Sequence, residues 1–148
     1  MTATTKKRKG ALLSLPKTLT GIEGLDEITQ GGLPSGRPTL VCGGPGCGKT
    51  IMAIEFIVNG AVKYNEPGVI MAFEEKAEDL SVNVASLGFD LQTLQKEKKI
   101  KIDYVHVDKT EIEETGAYDL EGLFIRLDYA IKSIGAKRVV LDTIENLF

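Results

Sequence analysis

One eight-residue segment of the chain has the composition and spacing of a phosphate-binding loop. Residues 43–50 read Gly-Gly-Pro-Gly-Cys-Gly-Lys-Thr and fit the pattern G-x-x-x-x-G-K-[ST]. Glycines let the backbone curl so that successive amides face phosphate oxygens, and a helix that begins at the end of the loop adds the positive end of its dipole. The segment is therefore predicted to bind a nucleotide. The alternative is a glycine-rich turn that fits the pattern by chance.

Two side chains at the end of this loop are predicted to act on the nucleotide directly. Lys49 would reach the β and γ phosphates, and the Thr50 hydroxyl would coordinate Mg²⁺. These residues favour neither adenine nor guanine as the base. The predicted nucleotide-binding residues are Gly43, Gly44, Pro45, Gly46, Cys47, Gly48, Lys49, Thr50 and Ile51.

Carboxylates stand where two apolar runs end. Asp142 closes the run at 139–142, and a carboxylate at such a strand end is the second anchor of a Mg²⁺ site, usually through a bound water. Glu74 and Glu75 close the run at 69–73. Because ligands of parallel α/β sheets bind outside the carboxyl ends of the strands, one glutamate is a candidate to orient the water that attacks the γ-phosphate. The alternative is a solvated acidic pair at a helix start, where carboxylates favour the helix dipole.

The elements that must position these residues alternate along the chain. Short apolar runs predict strands, and apolar residues at helical spacing predict helices between them. The predicted strands are 39–42, 69–73, 100–107 and 139–142, and the predicted helices are 21–30, 51–58, 80–87, 90–98 and 120–134. This alternation predicts parallel pairing through right-handed crossovers in a three-layer α/β domain, with an acidic surface loop at 108–118.

Length and composition indicate one globular domain. The 148 residues are 43% hydrophobic and 26% charged, close to ordinary globular averages, which excludes a disordered or fibrous chain. The apolar runs are too short for a transmembrane helix, and the N-terminus does not have the pattern of a secretory signal. We therefore expect a cytoplasmic protein that does not engage a membrane.

The basic residues near the N-terminus do not set the charge of the rest of the chain. Lys6, Lys7, Arg8 and Lys9 form a cluster, whereas the net charge of the whole chain is −3. A nucleic-acid-binding domain would be basic with clustered Lys and Arg, so this balance argues against DNA or RNA as the main ligand. Solvation of a disordered tail is the preferred interpretation of the cluster.

Three further residues with reactive side chains are predicted to have structural roles. Cys42 and Cys47 have no neighbouring His or Cys to complete a metal site, so both are predicted to be small buried thiols. His106, the only histidine, sits in an apolar alternation and is predicted to be a core or strand-end residue rather than a catalytic one.

Several segments together resemble the KaiC family of circadian clock ATPases, within the RecA-like P-loop superfamily. They are the phosphate loop, 20–26 (TGIEGLD), 31–36 (GGLPSG), 66–69 (EPGV), 73–75 (FEE) and 126–131 (RLDYAI). The last two segments favour KaiC over the bacterial RecA and RadA recombinases. The resemblance runs from about Thr20 to Phe148 and corresponds to the start of the first of two ATPase domains.

The resemblance implies a fold for the chain. It implies a three-layer α/β, RecA-like P-loop NTPase with a mostly parallel sheet, truncated after the Walker B strand that carries Asp142. Residues 1–17 would be a basic disordered tail, and residues 18–148 would be an incomplete ATPase domain.

The resemblance also implies a ligand and site roles. ATP with Mg²⁺ would bind at the loop, Thr50 and Asp142 would hold the metal, and Glu74, Glu75 and Lys49 would be catalytic in slow hydrolysis. Family members form hexameric rings, phosphorylate their own Ser and Thr in the second domain, and bind the adaptor proteins KaiA and KaiB.

The chain stops soon after Asp142, and this leads us to expect a fragment with weak or no activity. In the RecA-like topology the next strand lies between the strand of Asp142 and the strand before Gly43. A gap there exposes unpaired backbone groups, so the 148 residues are not expected to form a competent ring by themselves.

Two other functions stay open at this point. One is a RecA- or RadA-type DNA-dependent ATPase, which single-stranded DNA would stimulate in a salt-dependent way. The other is a non-catalytic module that associates with full-length subunits, whose effect would not depend on Lys49.

Overall fold

A small parallel sheet organises the part of the chain that the structure, a computed structural model, describes. The described residues are 15–107 and 119–147. The predicted loop at 108–118 and the basic cluster of the predicted tail lie outside them. In chain order the elements are β1 Lys17–Thr18, α1 Leu25–Ile28, β2 Leu33–Pro34, α2 Lys49–Lys63, β3 Gly68–Ala72, α3 Ala77–Ala85, α4 Leu91–Lys96, β4 Ile100–Tyr104, α5 Leu120–Ile134, β5 Arg138–Asp142 and a 3₁₀ helix at Ile144–Leu147.

β3 is the central strand of the sheet, with β4 on one side and β5 on the other. Both pairs are parallel, and Ile70 lies beside Ile102 and Val140. All five residues of β3 are buried, as expected of a parallel strand that is covered on both faces. The predicted parallel α/β architecture is confirmed for these three strands. β1 and β2 form a separate antiparallel pair, which is too short to leave a periodic signal in the sequence.

Helices cover both faces of the sheet. On one face, residues of α2, α3 and α4 pack with Ile70 and Ile100 in one buried cluster. On the other face, Leu123 of α5 and Leu147 of the 3₁₀ helix pack with Met71. Side chains alternate along a strand, so Ile70 and Met71 point to opposite faces and the domain has the predicted three layers. Within the described residues, no helix is long and apolar enough to cross a membrane.

Polar caps fix the ends of two predicted helices. The Asp119 carboxylate accepts the Gly122 N–H at 3.1 Å where α5 begins, and Gly135, with φ +64°, ends that helix as predicted. Asp90 precedes α4 and accepts the Thr93 hydroxyl at 2.7 Å and its N–H at 3.1 Å. These hydrogen bonds hold the pKa of Asp90 below its ordinary value.

The run at 39–42, predicted as a strand, is not a strand in the structure. It pairs with none of the strands in the described residues. Leu40 is 71% exposed and Val41 is 45% exposed. A strand needs a neighbour to satisfy its backbone N–H and C=O groups, and apolar composition does not provide one. The prediction was wrong for this run because it considered side chains without their partners.

The helix predicted at 21–30 is present only as the single turn α1. Gly21 has φ +72°, outside the helical region. The Asp26 carboxylate holds the preceding turn by accepting the N–H groups of Thr20 and Gly21, each at 2.9 Å, and the Thr20 hydroxyl at 2.6 Å. Partial burial acts to raise the pKa of Asp26, but these hydrogen bonds and the charge of Arg138 outweigh it and hold that pKa below its ordinary value.

Arg138, the first residue of β5, joins the sheet to earlier segments of the chain. Its guanidinium donates to the carbonyl oxygens of Leu19 at 2.7 Å and Phe56 at 3.0 Å, and lies 3.3 Å from a Glu66 carboxylate oxygen. Arg138 is 2% exposed. Gly60 leaves room for it, because a Cβ at that position would lie 2.5 Å from the Arg138 side chain. The arginine thus fixes α2 and the N-terminal segment at the amino end of β5.

Candidate functional site

The predicted phosphate loop lies between the exposed run at 39–42 and the start of α2. Residues 43–48 are all exposed. Gly48, with φ +96°, turns the chain into α2, and no side chain in the described residues caps that helix. The first N–H groups of this 15-residue helix are therefore open to a ligand, and the helix dipole favours an anion there.

Lys49, the first residue of α2, folds its side chain back over the loop. Its Nζ donates to the carbonyl oxygen of Gly43 at 2.5 Å. The ammonium group thus lies beside the start of the loop. A phosphate group would offer Lys49 charged acceptors, which make stronger hydrogen bonds than a carbonyl.

The two residues predicted to hold a metal ion are in direct contact. The Thr50 hydroxyl donates to Oδ2 of Asp142 at 2.8 Å, although 92 residues separate them in the chain. Thr50 lies in the first turn of α2, and Asp142 is the last residue of β5. The contact joins the end of the phosphate loop to the carboxyl edge of the sheet.

The donor set formed by Thr50 and Asp142 suits Mg²⁺. Within the described residues, no three His, Cys, Asp or Glu side chains group together as a metal site. Hydroxyl and carboxylate oxygens are hard ligands, and Mg²⁺ in nucleotide sites is commonly held by one or two protein ligands together with phosphate oxygens and waters. A pair of oxygen ligands beside a phosphate loop therefore suits a metal ion that arrives with a nucleotide.

Glu74 and Glu75 follow β3 at the same edge of the sheet as Asp142. The Phe73 N–H donates to the Asp142 carbonyl at 2.9 Å. Glu74 and Glu75 therefore directly follow a residue that is hydrogen-bonded to Asp142. Glu74 is exposed, while Glu75 is partly buried and accepts Nδ2–H of Asn83 at 3.0 Å. The sequence did not indicate Asn83, because its spacing from Glu75 carries no motif.

The structure therefore brings together two pairs of the predicted site residues and places a third pair close by in the fold. Lys49 contacts Gly43, and Thr50 contacts Asp142. The two glutamates lie one strand away from Asp142, at the end of β3. Ile51, the last residue predicted for the nucleotide loop, is exposed on the first turn of α2.

The prediction of two buried thiols was wrong, since Cys42 and Cys47 are both exposed. Cys42 belongs to the run at 39–42, which is not covered because it is not part of the sheet. Cys47 lies in the loop with its Sγ against Gly43, where a Cβ would be 2.4 Å from the sulfur. His106 is exposed just beyond the end of β4, at a strand end as predicted.

Comparisons with known proteins identify KaiC proteins as relatives of this chain. A family model described as "ATPase: KaiC" matches residues 18–148. The chain is 64% identical over 136 residues to circadian clock protein KaiC2 of Synechocystis sp. (strain ATCC 27184 / PCC 6803 / Kazusa). It is 44% identical over 137 residues to circadian clock oscillator protein KaiC of Parathermosynechococcus lividus, and 42% identical over 135 residues to the KaiC of Synechococcus elongatus.

These matches cover nearly all of this chain and a small part of each relative. They include 92%, 93% and 91% of the chain, but only 24%, 25% and 26% of the three relatives. The chain thus spans about a quarter of the length of the curated relatives it matches.

Proposed function

The chain belongs to the KaiC family of ATPases, and on that premise we propose that it binds ATP with Mg²⁺ at residues 43–51 and hydrolyses the ATP slowly. The amides of the loop and the start of α2 would bind the phosphates, and Lys49 would contact the β and γ phosphates. Thr50 and Asp142 would hold the metal ion, which supplies neutralising charge beside the phosphates.

The contact between Thr50 and Asp142 is the observation that carries this proposal. A glycine-rich turn that fits the loop pattern by chance has no reason to lie against a carboxylate at a strand end. Here the hydroxyl at the end of the loop and the carboxylate at the end of β5 are 2.8 Å apart. Nucleotide binding explains why both groups are present and adjacent.

Hydrolysis would use the acidic pair after β3. One carboxylate would accept a proton from water as the water oxygen bonds to the γ-phosphorus and the bond to the β-phosphate oxygen breaks. Glu74 and Glu75 have different surroundings, since Asn83 donates a hydrogen bond to Glu75 and Glu74 is exposed. This difference makes separate roles for the two acids testable.

We also propose that the chain has a circadian clock role, as the names of its relatives suggest, and that it acts in an oligomer. A hexamer and adaptor proteins of the KaiA and KaiB type are part of this proposal. Phe124, Ile125 and Tyr129 on α5 are large exposed side chains, which are more common at protein contacts than on an isolated surface.

Nucleotide binding is tested by titrating a fluorescent ATP analogue, with Mg²⁺, into the wild-type chain and into Lys49→Ala. We expect saturable binding that weakens by about 10- to 100-fold in Lys49→Ala, the loss expected for one charge-assisted hydrogen bond. Competition with unlabelled ATP and GTP measures the base preference.

The matched control is Lys63→Ala, which removes a lysine from the far end of the same helix. Circular dichroism shows whether each variant is folded. A folded wild-type chain that does not bind the analogue, or that binds it equally well in Lys49→Ala, would contradict the proposal and favour a non-catalytic interaction module.

Hydrolysis is tested by phosphate release from ATP in Glu74→Gln and Glu75→Gln, with Glu78→Gln as the control acid on α3. Removing a general base lowers a rate by about 10²-fold or more. We expect that loss in one of the first two variants and none in the third. Stimulation of the wild-type rate by single-stranded DNA would instead point to a DNA-dependent ATPase.

A further inference from the structure

Two exposed thiols enclose the first part of the phosphate loop. Cys42 directly precedes the loop, Cys47 lies within it, and these are the two cysteines of the chain. Neither sulfur has a role in the nucleotide binding proposed above. Both are accessible to oxidants, and accessibility is one of the conditions that make a thiol reactive.

The structure directs the Cys47 sulfur toward the residue that follows Cys42. Its Sγ lies so close to Gly43 that a Cβ there would be 2.4 Å away. The turn between them is closed by the Cys47 N–H, which donates to the Gly44 carbonyl at 3.3 Å. Cys42 directly precedes Gly43, and neighbouring α-carbons are about 3.8 Å apart. The side chain of Cys42 is therefore attached one residue before the glycine that the Cys47 sulfur approaches.

The backbone between the two cysteines is rich in glycine and follows an unpaired run. Cys42 belongs to the run at 39–42, which no strand in the described residues holds in place. Glycines occupy positions 43, 44 and 46, and glycine has the widest range of backbone conformations. A disulfide requires the two α-carbons to lie about 4.4–6.8 Å apart, and rotation about the backbone bonds of these glycines would bring the cysteines to that distance.

We propose that Cys42 and Cys47 form a reversible disulfide that closes the phosphate loop and prevents nucleotide binding, a regulation that rests on the function proposed above. The oxidant is a peroxide. One thiol sulfur attacks a peroxide oxygen, the O–O bond breaks, and a sulfenic acid and one water form. The second sulfur then attacks the sulfenic sulfur, the S–O bond breaks, and a second water leaves with the thiol proton. A dithiol reductant restores both thiols by exchange.

The disulfide would act on the atoms that bind phosphate. It would draw the loop amides between the two cysteines into a small ring, so that they could not all face the phosphates as the proposed function requires. It would also displace the Gly43 carbonyl from Lys49, which now bonds to it at 2.5 Å. We expect nucleotide affinity to fall by about tenfold or more, as expected when at least one charge-assisted phosphate contact is lost.

The experiment treats the 148-residue chain with limiting hydrogen peroxide, then measures its mass, its free thiols and its affinity for the fluorescent ATP analogue. We expect the mass to fall by two hydrogens, both thiols to disappear, and the affinity to drop, with all three restored by dithiothreitol. Cys42→Ser is the matched control. It should bind the analogue normally when reduced, form no internal disulfide, and keep its affinity at the same peroxide dose.

The outcomes separate this regulation from the nucleotide site itself. If the reduced chain binds the analogue but oxidation gives only linked dimers or added oxygen, there is no internal disulfide and the proposal is wrong. An internal disulfide that leaves affinity unchanged, or a Cys42→Ser chain that loses affinity as the wild type does, also overturns it. If the reduced chain binds no nucleotide, the proposed function fails, and the mass still shows whether the disulfide forms.

Discussion

Residues 69–72 and residues 39–42 are both short apolar runs that lead into residues of the proposed site, yet one is the centre of a sheet and the other is open to solvent. In β3, Ile70 is 2% exposed and has a strand on each side. In the other run, Leu40 is 71% exposed and pairs with none of the strands in the described residues. The difference lies in the neighbours, because a strand is stable only where another strand satisfies its backbone groups.

The helix that follows the loop, α2, is nevertheless attached to the sheet at both ends of β5. At the amino end, Arg138 binds the carbonyl of Phe56 on α2. At the carboxyl end, Asp142 accepts the hydroxyl of Thr50 on the same helix. The phosphate loop is therefore positioned through α2 rather than through the run that precedes it. The end of the loop therefore lies against Asp142 of the sheet even though the run before the loop is unpaired.

The largest expected effect is a direct test of the contrast between the two runs. Ile70→Ala should lower the free energy of unfolding by about 3–4 kcal/mol, because it leaves a cavity in the main core. Leu40→Ala should change it by less than about 0.5 kcal/mol, as expected at an exposed site. Urea unfolding followed by circular dichroism measures both. Equal effects would mean that residues 39–42 are buried in solution.

The second effect concerns the attachment at the amino end of β5. Arg138→Met should cost about 2–3 kcal/mol, because the carbonyls of Leu19 and Phe56 lose a charged donor and Glu66 loses its partner. Arg138→Lys should recover only part of the loss, since an ammonium group does not reproduce the guanidinium fork. Lys132→Met, which removes an exposed ion pair with Asp128, should cost less than about 0.5 kcal/mol in the same unfolding assay.

The third effect tests whether the turn before α1 belongs to the stable part of the molecule. Asp26→Ala should cost about 1–2 kcal/mol at pH 7, at the low end for hydrogen bonds to a charged group because Asp26 is partly exposed. The pKa of Asp26 is lowered in the folded state, so its contribution is full above the ordinary Asp value of about 3.9 and is lost as the pH falls through the lower folded value. Unfolding measured from pH 7 down to acid should show the difference between wild type and variant shrinking below about pH 4. A difference that grows in acid would contradict the assigned hydrogen bonds.

The smallest effect on stability is expected at the attachment at the carboxyl end of β5. A double-mutant cycle with Thr50→Val and Asp142→Ala should give a coupling of about 1 kcal/mol or less, typical of one hydrogen bond. The same variants should weaken binding of the fluorescent ATP analogue with Mg²⁺ much more than they change stability. A large coupling in unfolding with unchanged binding would assign the pair a structural role instead.

Most of the candidate site was predictable because its signals are local. The loop pattern at 43–50 depends on glycine conformations and on the residue types at its end, which a short segment encodes completely. The acids at the ends of apolar runs were predictable from the rule that ligands bind at the carboxyl ends of parallel strands. Asn83 and Arg138 could not be identified in this way, because each acts on groups that only the fold brings close.

The sequence by itself determined the family, the pattern of the predicted phosphate loop and the alternation of helices and strands from α2 to β5, because these follow from residue types at short spacing. The tertiary structure decided which apolar runs became strands, which thiols were exposed, and that Thr50 and Asp142 meet across 92 residues. The physical reason is that pairing and burial depend on distant partners. A run of apolar residues favours burial, but the tertiary structure determines which other residues pack against it.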